Sequence, residues 1–136
     1  MVHRSEVMRL LLSACPSFES PWAAYRAEPE FDEALIYLHL AEFARHLIAL
    51  RQQGRTAELR RAFEAVERLH TEGDAYVREA ATIGFLEGLQ NNAEHGGLDP
   101  EVFRLLLGEE SARWWDALNR FWSGESPRVE LEPPVA

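Results

Sequence analysis

The stretch DAYVREAATIGFLEGL, from Asp74 to Leu89, decides the predicted fold. Apolar residues fall on almost every side of a helix drawn through it, which is typical of a helix enclosed by other helices. Gly84 and Gly88 leave room for a neighbouring helix to approach closely. Each interior glycine costs the helix about 1 kcal/mol relative to alanine, so packing must compensate. We therefore predict a compact all-α bundle built around a central buried helix over residues 74–90.

Apolar periodicity and stop signals divide the rest of the chain into further helices, giving about six or seven in all. Asp74 and Asp99 are predicted N-caps, and Ser20 before Pro21 is another. The polar run 90–97 is predicted to be the longest loop. We expect one helical domain over residues 1–123 and an extended or flexible tail over 124–136, which contains Gly124 and several prolines. The other predicted helices span residues 3–14, 22–27, 31–53, 57–70, 100–107 and 110–122.

Composition restricts the kinds of partner that the chain can bind. The 136 residues carry 23 acidic and 14 basic side chains, and the formal net charge is −9. Such a field repels phosphate backbones, so nucleic-acid binding is disfavoured, whereas a basic protein would be attracted. No apolar run reaches the ~18–20 residues that a membrane span needs. The patch Leu10–Leu12 is shorter than a signal-peptide core, and Cys15 has no second cysteine to pair with, so we expect a cytoplasmic protein.

Three segments of the second half resemble a known family when they are taken together. They are YVREAATIGFLEGLQN (residues 76–91), GLDPEVFRLLLG (97–108) and ESARWWDALNRFW (110–122). Their order resembles a family of small, all-helical, uncharacterised bacterial proteins of unknown function. Proteins of this kind are similar to immunity proteins encoded beside bacterial toxins. The pair of helices 57–70 and 74–89 also resembles a single HEAT-like helical hairpin.

Two groups of side chains raise the question of a metal site. His39, Glu42 and His46 lie on one flank of the long predicted helix, but the two histidines are two turns apart, roughly 10.5 Å along the axis. That distance is too long for one ion, so boundary positions beside the core are the competing interpretation. Glu67 and His70 form an E-x-x-H pair, but no second copy completes a di-iron site, and His70 is predicted to lie at an exposed helix end. We predict no metal, no cofactor and no catalytic residue.

Two further groups are candidates for binding rather than for chemistry. Glu94 and His95 lie in the predicted loop 90–97, which could contact a ligand or a partner. Trp114 and Trp115 point 100° apart on the last helix, so one of them is expected at the rim of the core, where tryptophan anchors interfaces. The competing interpretations are a solvated turn and a core aromatic pair.

From these observations we expect a protein-binding module without catalytic activity, in which an acidic surface masks a basic partner, as an immunity or antitoxin-like protein would. The alternatives are a metal-dependent enzyme that uses the histidines and carboxylates of the long helix, and a structural domain that forms a homodimer through a tryptophan-bearing face. The predicted partner-binding residues are Glu94, His95, Glu109, Glu110, Trp115 and Asp116, with Glu30, Asp32 and Glu33 as a second patch.

Overall fold

The computed structural model describes residues 1–132, and all regular secondary structure in that range is helical. Three short 3-10 helices (Arg4–Glu6, Pro16–Phe18 and Pro100–Leu106) and a π-helical segment (Ala80–Leu86) join the α-helices. The predicted all-α bundle is confirmed. The seven α-helices of the described residues are α1 (Val7–Ala14), α2 (Glu19–Arg26), α3 (Ile36–Gln52), α4 (Thr56–Glu72), α5 (Ala75–Glu79), α6 (Glu87–His95) and α7 (Glu109–Trp122).

The central helix is a continuous run from Ala75 to His95, made of α5, the π-helical segment and α6. Phe85 and Leu89 within it have no exposed surface. Helix α3 packs so closely against the run that a Cβ added to Gly84 would lie 3.2 Å from Tyr37 Cα. A Cβ added to Gly88 would lie 3.3 Å from Ala41 Cα. Gly84 and Gly88 therefore allow the close approach of a neighbouring helix, as predicted. The central position of this helix is confirmed.

A row of four phenylalanines connects the central run to the elements around it. Phe43 of α3 contacts Phe85 with ring centroids 5.9 Å apart, and Phe85 contacts Phe63 of α4 at the same separation. Phe63 in turn lies 6.0 Å from Phe103 in the 3-10 helix Pro100–Leu106. All four rings are buried. This row anchors the Pro100–Leu106 segment against the core.

The N-terminal segment fixes the turn between α4 and α5. The amide of Val2 donates to the carbonyl of Glu72 at 2.7 Å, and the amide of Asp74 donates to the carbonyl of Val2 at 2.9 Å. The Asp74 side chain accepts the amide of Val77 at 2.9 Å, so the predicted N-cap is confirmed. The first residues of the chain therefore hold the start of the central run in place.

Two predicted helix starts are wrong. Helix α2 begins at Glu19, directly after the 3-10 helix Pro16–Phe18, so Pro21 falls inside its first turn. Proline is tolerated there because the first amides of a helix have no partner within the helix. Helix α3 begins at Ile36 instead of Phe31, because Asp32 accepts the amide of Ala34 at 3.0 Å and holds a turn.

The predicted loop 90–97 is also wrong, because α6 continues to His95. Asn92 donates its side-chain amide to the carbonyl of Gly88 at 2.8 Å and accepts Arg45 Nε at 3.2 Å. These two hydrogen bonds hold Asn92 in the helix although asparagine has a low helix propensity. The run ends at His95, and Gly97, whose φ of +76° suits glycine, turns the chain away from it. Asn91, Glu94 and His95 therefore project from a helix.

The first part of the predicted tail, residues 124–132, has no regular secondary structure. Val129 nevertheless packs against the core, and Arg120 Nη2 donates to the carbonyl of Glu130 at 3.1 Å. The last four residues of the predicted tail, 133–136, lie outside the described residues. None of the helices within residues 1–132 is long and apolar enough to cross a membrane.

Candidate functional site

A cleft of about 690 Å³ lies where α6, the Pro100–Leu106 segment and α7 meet, and we refer to it as the acidic cleft. Most of the described residues that line it are polar, and none of them is basic. Glu94, from the predicted partner-binding set, lies on its wall. Its lining residues are Gln90, Asn91, Glu94, Gly97, Leu98, Asp99, Pro100, Glu101, Asn119 and Trp122.

Three carboxylates face this cleft, and local structure fixes two of them. Asp99 is the N-cap of the Pro100–Leu106 segment, where its Oδ1 accepts the amide of Glu101 at 3.0 Å. Glu101 accepts the indole N–H of Trp115 at 2.8 Å and the side-chain amide of Asn119 at 3.3 Å, both on Oε2. Glu94 extends from the exposed side of α6. Three carboxylates around one cleft create a local negative potential that attracts a cation.

Of the tryptophan pair on α7, Trp115 lies in the core and Trp114 lies nearer the surface, as expected for one member of the pair. Trp115 has no exposed surface, because its ring is part of the core and its N–H is satisfied by Glu101. Trp114 is half-buried beside Val129 and Leu131, whereas Trp122 is 53% exposed at the edge of the acidic cleft. Trp122 is therefore the most exposed of the three tryptophans on α7.

The other predicted acids of the second half lie outside the cleft. Asp116 makes a two-pronged ion pair with Arg104, at 3.0 Å to Nε and 2.7 Å to Nη2, which raises the pKa of the guanidinium. Glu110 is paired with Arg113 at 3.0 Å. Glu109 is exposed at the start of α7, and His95 Nδ1 donates to the carbonyl of Asn91 at 2.9 Å. Of the six residues predicted there, only Glu94 lines the acidic cleft.

The second predicted patch, Glu30, Asp32 and Glu33, lies in the exposed turn between α2 and α3. Asp32 and Glu33 are at the edge of a different cavity, of about 720 Å³, which also has Arg4, Arg9 and Arg26 on its walls. The charges of this cavity are therefore mixed. A basic partner would meet cations as well as carboxylates at this patch.

The three residues that were candidates for a metal site contact three different sets of neighbours. They are His39, Glu42 and His46. His39 is buried, with Tyr25 Oη at 2.8 Å from Nδ1 and the carbonyl of Glu33 at 3.3 Å from Nε2. His46 Nε2 lies 2.7 Å from Ser17 Oγ, and Glu42 forms an ion pair with Arg45. Burial lowers the pKa of both imidazoles. Within residues 1–132, no three His, Cys, Asp or Glu side chains are arranged to hold a metal ion.

Next to His46, a buried carboxylate organises the turn before α2. Glu58 accepts the amide of Ser17 at 2.8 Å and Arg55 Nη2 at 2.9 Å. Burial by itself would raise the pKa of Glu58, but the hydrogen bonds from Ser17 and the positive charge of Arg55 lower it overall. Burial raises the pKa of Cys15 to about 12, so this thiol remains protonated and is a poor nucleophile.

The Glu67–His70 pair belongs to a buried network, so the prediction of an exposed helix end is wrong. Glu67 accepts the amides of Glu110 at 3.0 Å and Ser111 at 2.8 Å, which anchors the start of α7 to α4. The Ser111 hydroxyl also donates to Glu67 and lies 2.8 Å from His70 Nδ1. Thr82 Oγ1 lies 3.0 Å from His70 Nε2. Burial lowers the pKa of His70 to about 4.

Comparison with known proteins gives the family and nothing more specific. The fold and the cleft define a small all-α domain without an assigned chemistry. The chain belongs to the family described as Domain of unknown function (DUF7674), whose model matches residues 8–123. The expected membership of an uncharacterised helical family is thus confirmed, over more of the chain than the three segments that carried the resemblance. No curated protein matches the chain, and no solved structure does.

Proposed function

We propose that the protein is a non-catalytic binding module whose acidic cleft receives a basic segment of a partner protein. The observation that carries this proposal is the grouping of Glu94, Asp99 and Glu101 around one cleft with the exposed ring of Trp122 at its edge. Exposed tryptophan supplies contact area, and the carboxylates supply attraction and orientation. The net charge of −9 adds a long-range component that speeds the approach of a basic partner.

The biological role that we infer is the masking of a basic protein, as an immunity or antitoxin-like protein would do. The arrangement supports masking over catalysis because the buried histidines are occupied by internal hydrogen bonds, and Cys15 is held as a neutral thiol. Co-expression with the product of an adjacent gene tests this role, because the growth of the host cells reports whether the protein neutralises a toxic product. A neighbouring product that is not toxic when it is expressed alone would remove the immunity interpretation and leave the binding proposal intact.

A fluorescent octapeptide of alternating arginine and lysine tests the binding proposal directly. We expect binding at low ionic strength that weakens steeply with added salt, because exposed charges are screened within about 8–10 Å at 0.1–0.15 M salt. The variant E94K should weaken binding about tenfold at low salt, because it replaces an attraction by a repulsion at the exposed wall. E94K leaves the internal hydrogen bonds of Asp99 and Glu101 intact.

The matched control is E64K, which changes the net charge equally at an exposed position of α4 away from the acidic cleft. It should retain most of the affinity. Equal losses in E94K and E64K would show that net charge alone attracts the peptide and would overturn the role of the cleft, as would affinity that does not depend on salt. Light scattering in the same buffers shows whether Trp122 instead joins two copies of the chain, which is the homodimer alternative.

A further inference from the structure

Gln90 carries a side-chain oxygen that receives no hydrogen bond from any of the described residues. It lines the acidic cleft and is only 5% exposed. Among the buried side-chain nitrogen and oxygen atoms of residues 1–132, Gln90 Oε1 is the one without a hydrogen-bond partner. Buried polar atoms in native proteins are almost always paired, so an unpaired acceptor beside a cleft indicates a place where a donor from outside is received.

A chain of hydrogen bonds determines which way the Gln90 amide faces. The carboxylate of Glu101 can only accept, so Asn119 must present its Nδ2 to Glu101, at 3.3 Å. Asn119 Oδ1 then faces Gln90 and requires a donor, which is Gln90 Nε2 at 3.3 Å. Turning the Gln90 amide around would set two oxygens against each other. The atom of Gln90 without a partner is therefore the oxygen. At the other end of this series of hydrogen bonds, Trp115 donates its indole N–H to Glu101 at 2.8 Å.

The residues that line the acidic cleft thus carry acceptors of two kinds. Both hydrogen bonds to the Glu101 carboxylate end on Oε2, so its Oε1 accepts from none of the described residues. Glu94 adds a second negative charge, Gln90 adds a neutral acceptor, and Trp122 adds a flat exposed ring. A fitting ligand is cationic, carries several N–H donors in one plane and can lie against an aromatic face.

We propose that the acidic cleft recognises the guanidinium group of an arginine side chain on the partner, and that Gln90 selects arginine over lysine. This inference rests on the proposed function and specifies its ligand. A guanidinium has five N–H donors in a rigid plane, stacks on tryptophan and is weakly hydrated, so it can satisfy a carboxylate and Gln90 Oε1 together. The compact ammonium of lysine is strongly hydrated and is drawn mainly to the carboxylates.

Two capped hexapeptides that differ in one residue test the proposal, with a single arginine or a single lysine among glycines and serines. Binding is followed by NMR through the side-chain amide of Gln90 and the indole N–H of Trp122. We expect the arginine peptide to bind at least tenfold more tightly than the lysine peptide and to shift both signals. The variant Q90M keeps the length of the side chain, removes the acceptor, and should lower affinity for the arginine peptide to that for the lysine peptide.

Q90M also separates recognition from a structural role. If Gln90 serves only the bond to Asn119, then Q90M lowers stability and leaves the ratio of arginine to lysine affinity unchanged, which would overturn the proposal. The control Q52M, at an exposed position of α3, should leave the ratio at its wild-type value. Equal affinity of the wild type for both peptides refutes the selection of arginine but leaves the binding of basic partners standing. If neither hexapeptide nor the mixed octapeptide binds, then the proposed function fails as well.

Discussion

The buried imidazole of His70 should make the stability of this protein depend on pH in a way that one substitution removes. Its side chain is only 3% exposed, and burial lowers its pKa from 6.5 to about 4, although the carboxylates of Glu67 and Glu110 act in the opposite direction. Because the Ser111 hydroxyl donates to Glu67, it must accept the proton on His70 Nδ1, which leaves Nε2 as the acceptor for Thr82. The network therefore holds a neutral imidazole.

The expected loss follows from the difference between the folded and unfolded pKa values. Between pH 6.5 and 4 the unfolded chain binds a proton at His70 that the folded chain does not, so acidification favours unfolding. The stability associated with the neutral imidazole is present above pH 6.5 and is lost as the pH falls through 4. The contribution of His70 amounts to about 2 kcal/mol between pH 7 and pH 5, and to about 3 kcal/mol at the acidic limit.

Urea unfolding at half-unit pH steps from 7.5 to 4 measures this contribution. His39 and His46 also have lowered pKa values, so the quantity of interest is the wild-type pH profile minus that of H70Q. H70Q should be less stable at pH 7 but should lose about 2 kcal/mol less on going to pH 5. H95Q, at the exposed end of α6, should keep the wild-type profile. An H70Q profile parallel to that of the wild type would refute the reasoning, as would an NMR titration of His70 with a midpoint near 6.5.

Two further predictions concern the packing of the bundle, and urea unfolding at pH 7 tests both. G84V should lower the free energy of unfolding by about 1–3 kcal/mol, because even its Cβ would lie 3.2 Å from both Tyr37 Cα and Leu40 Cδ1. The same change at Gly96, where a Cβ meets nothing nearer than 3.4 Å, should cost much less, and equal losses would contradict the close approach of α3. E67Q should lower stability by about 1–3 kcal/mol, because the Glu67 carboxylate accepts three hydrogen bonds from the start of α7. The exposed variant E64Q should change it little, and a neutral effect of E67Q would show that α7 does not depend on this anchor.

The parts of the fold that could be predicted are those determined by local pattern. The central run was identifiable because its small and large apolar residues occur on nearly every side, and it lies in the core. Asp74 and Asp99 were identifiable as N-caps because a carboxylate before a helix accepts exposed amides over a short range. Predictions of this kind need only the neighbouring residues.

The end of α6 could not be predicted in this way, because contacts from another helix decide it. Asn91 and Asn92 have poor helix propensity, and the segment is polar, so local pattern favours a loop. Arg45, which is distant in sequence, binds Asn92, and Ala93 is fully buried four residues after Leu89. The spacing of Leu89 and Ala93, followed by the pair Gly96–Gly97, was the one signal in the sequence that α6 continues.

The error at the end of α6 also explains why Gln90 and Glu101, which line the acidic cleft, were not among the predicted binding residues, whereas Glu94 was. A negative surface follows from counting charges, and Glu94 is part of that count. The acceptor on Gln90 exists only because Trp115 binds Glu101, Glu101 orients Asn119, and Asn119 occupies the Gln90 amide. Each step joins residues on different elements, so no spacing along the chain reveals it. Because the chain of bonds begins at a fully buried tryptophan, the packing that stabilises α7 also sets the direction of the acceptor in the acidic cleft.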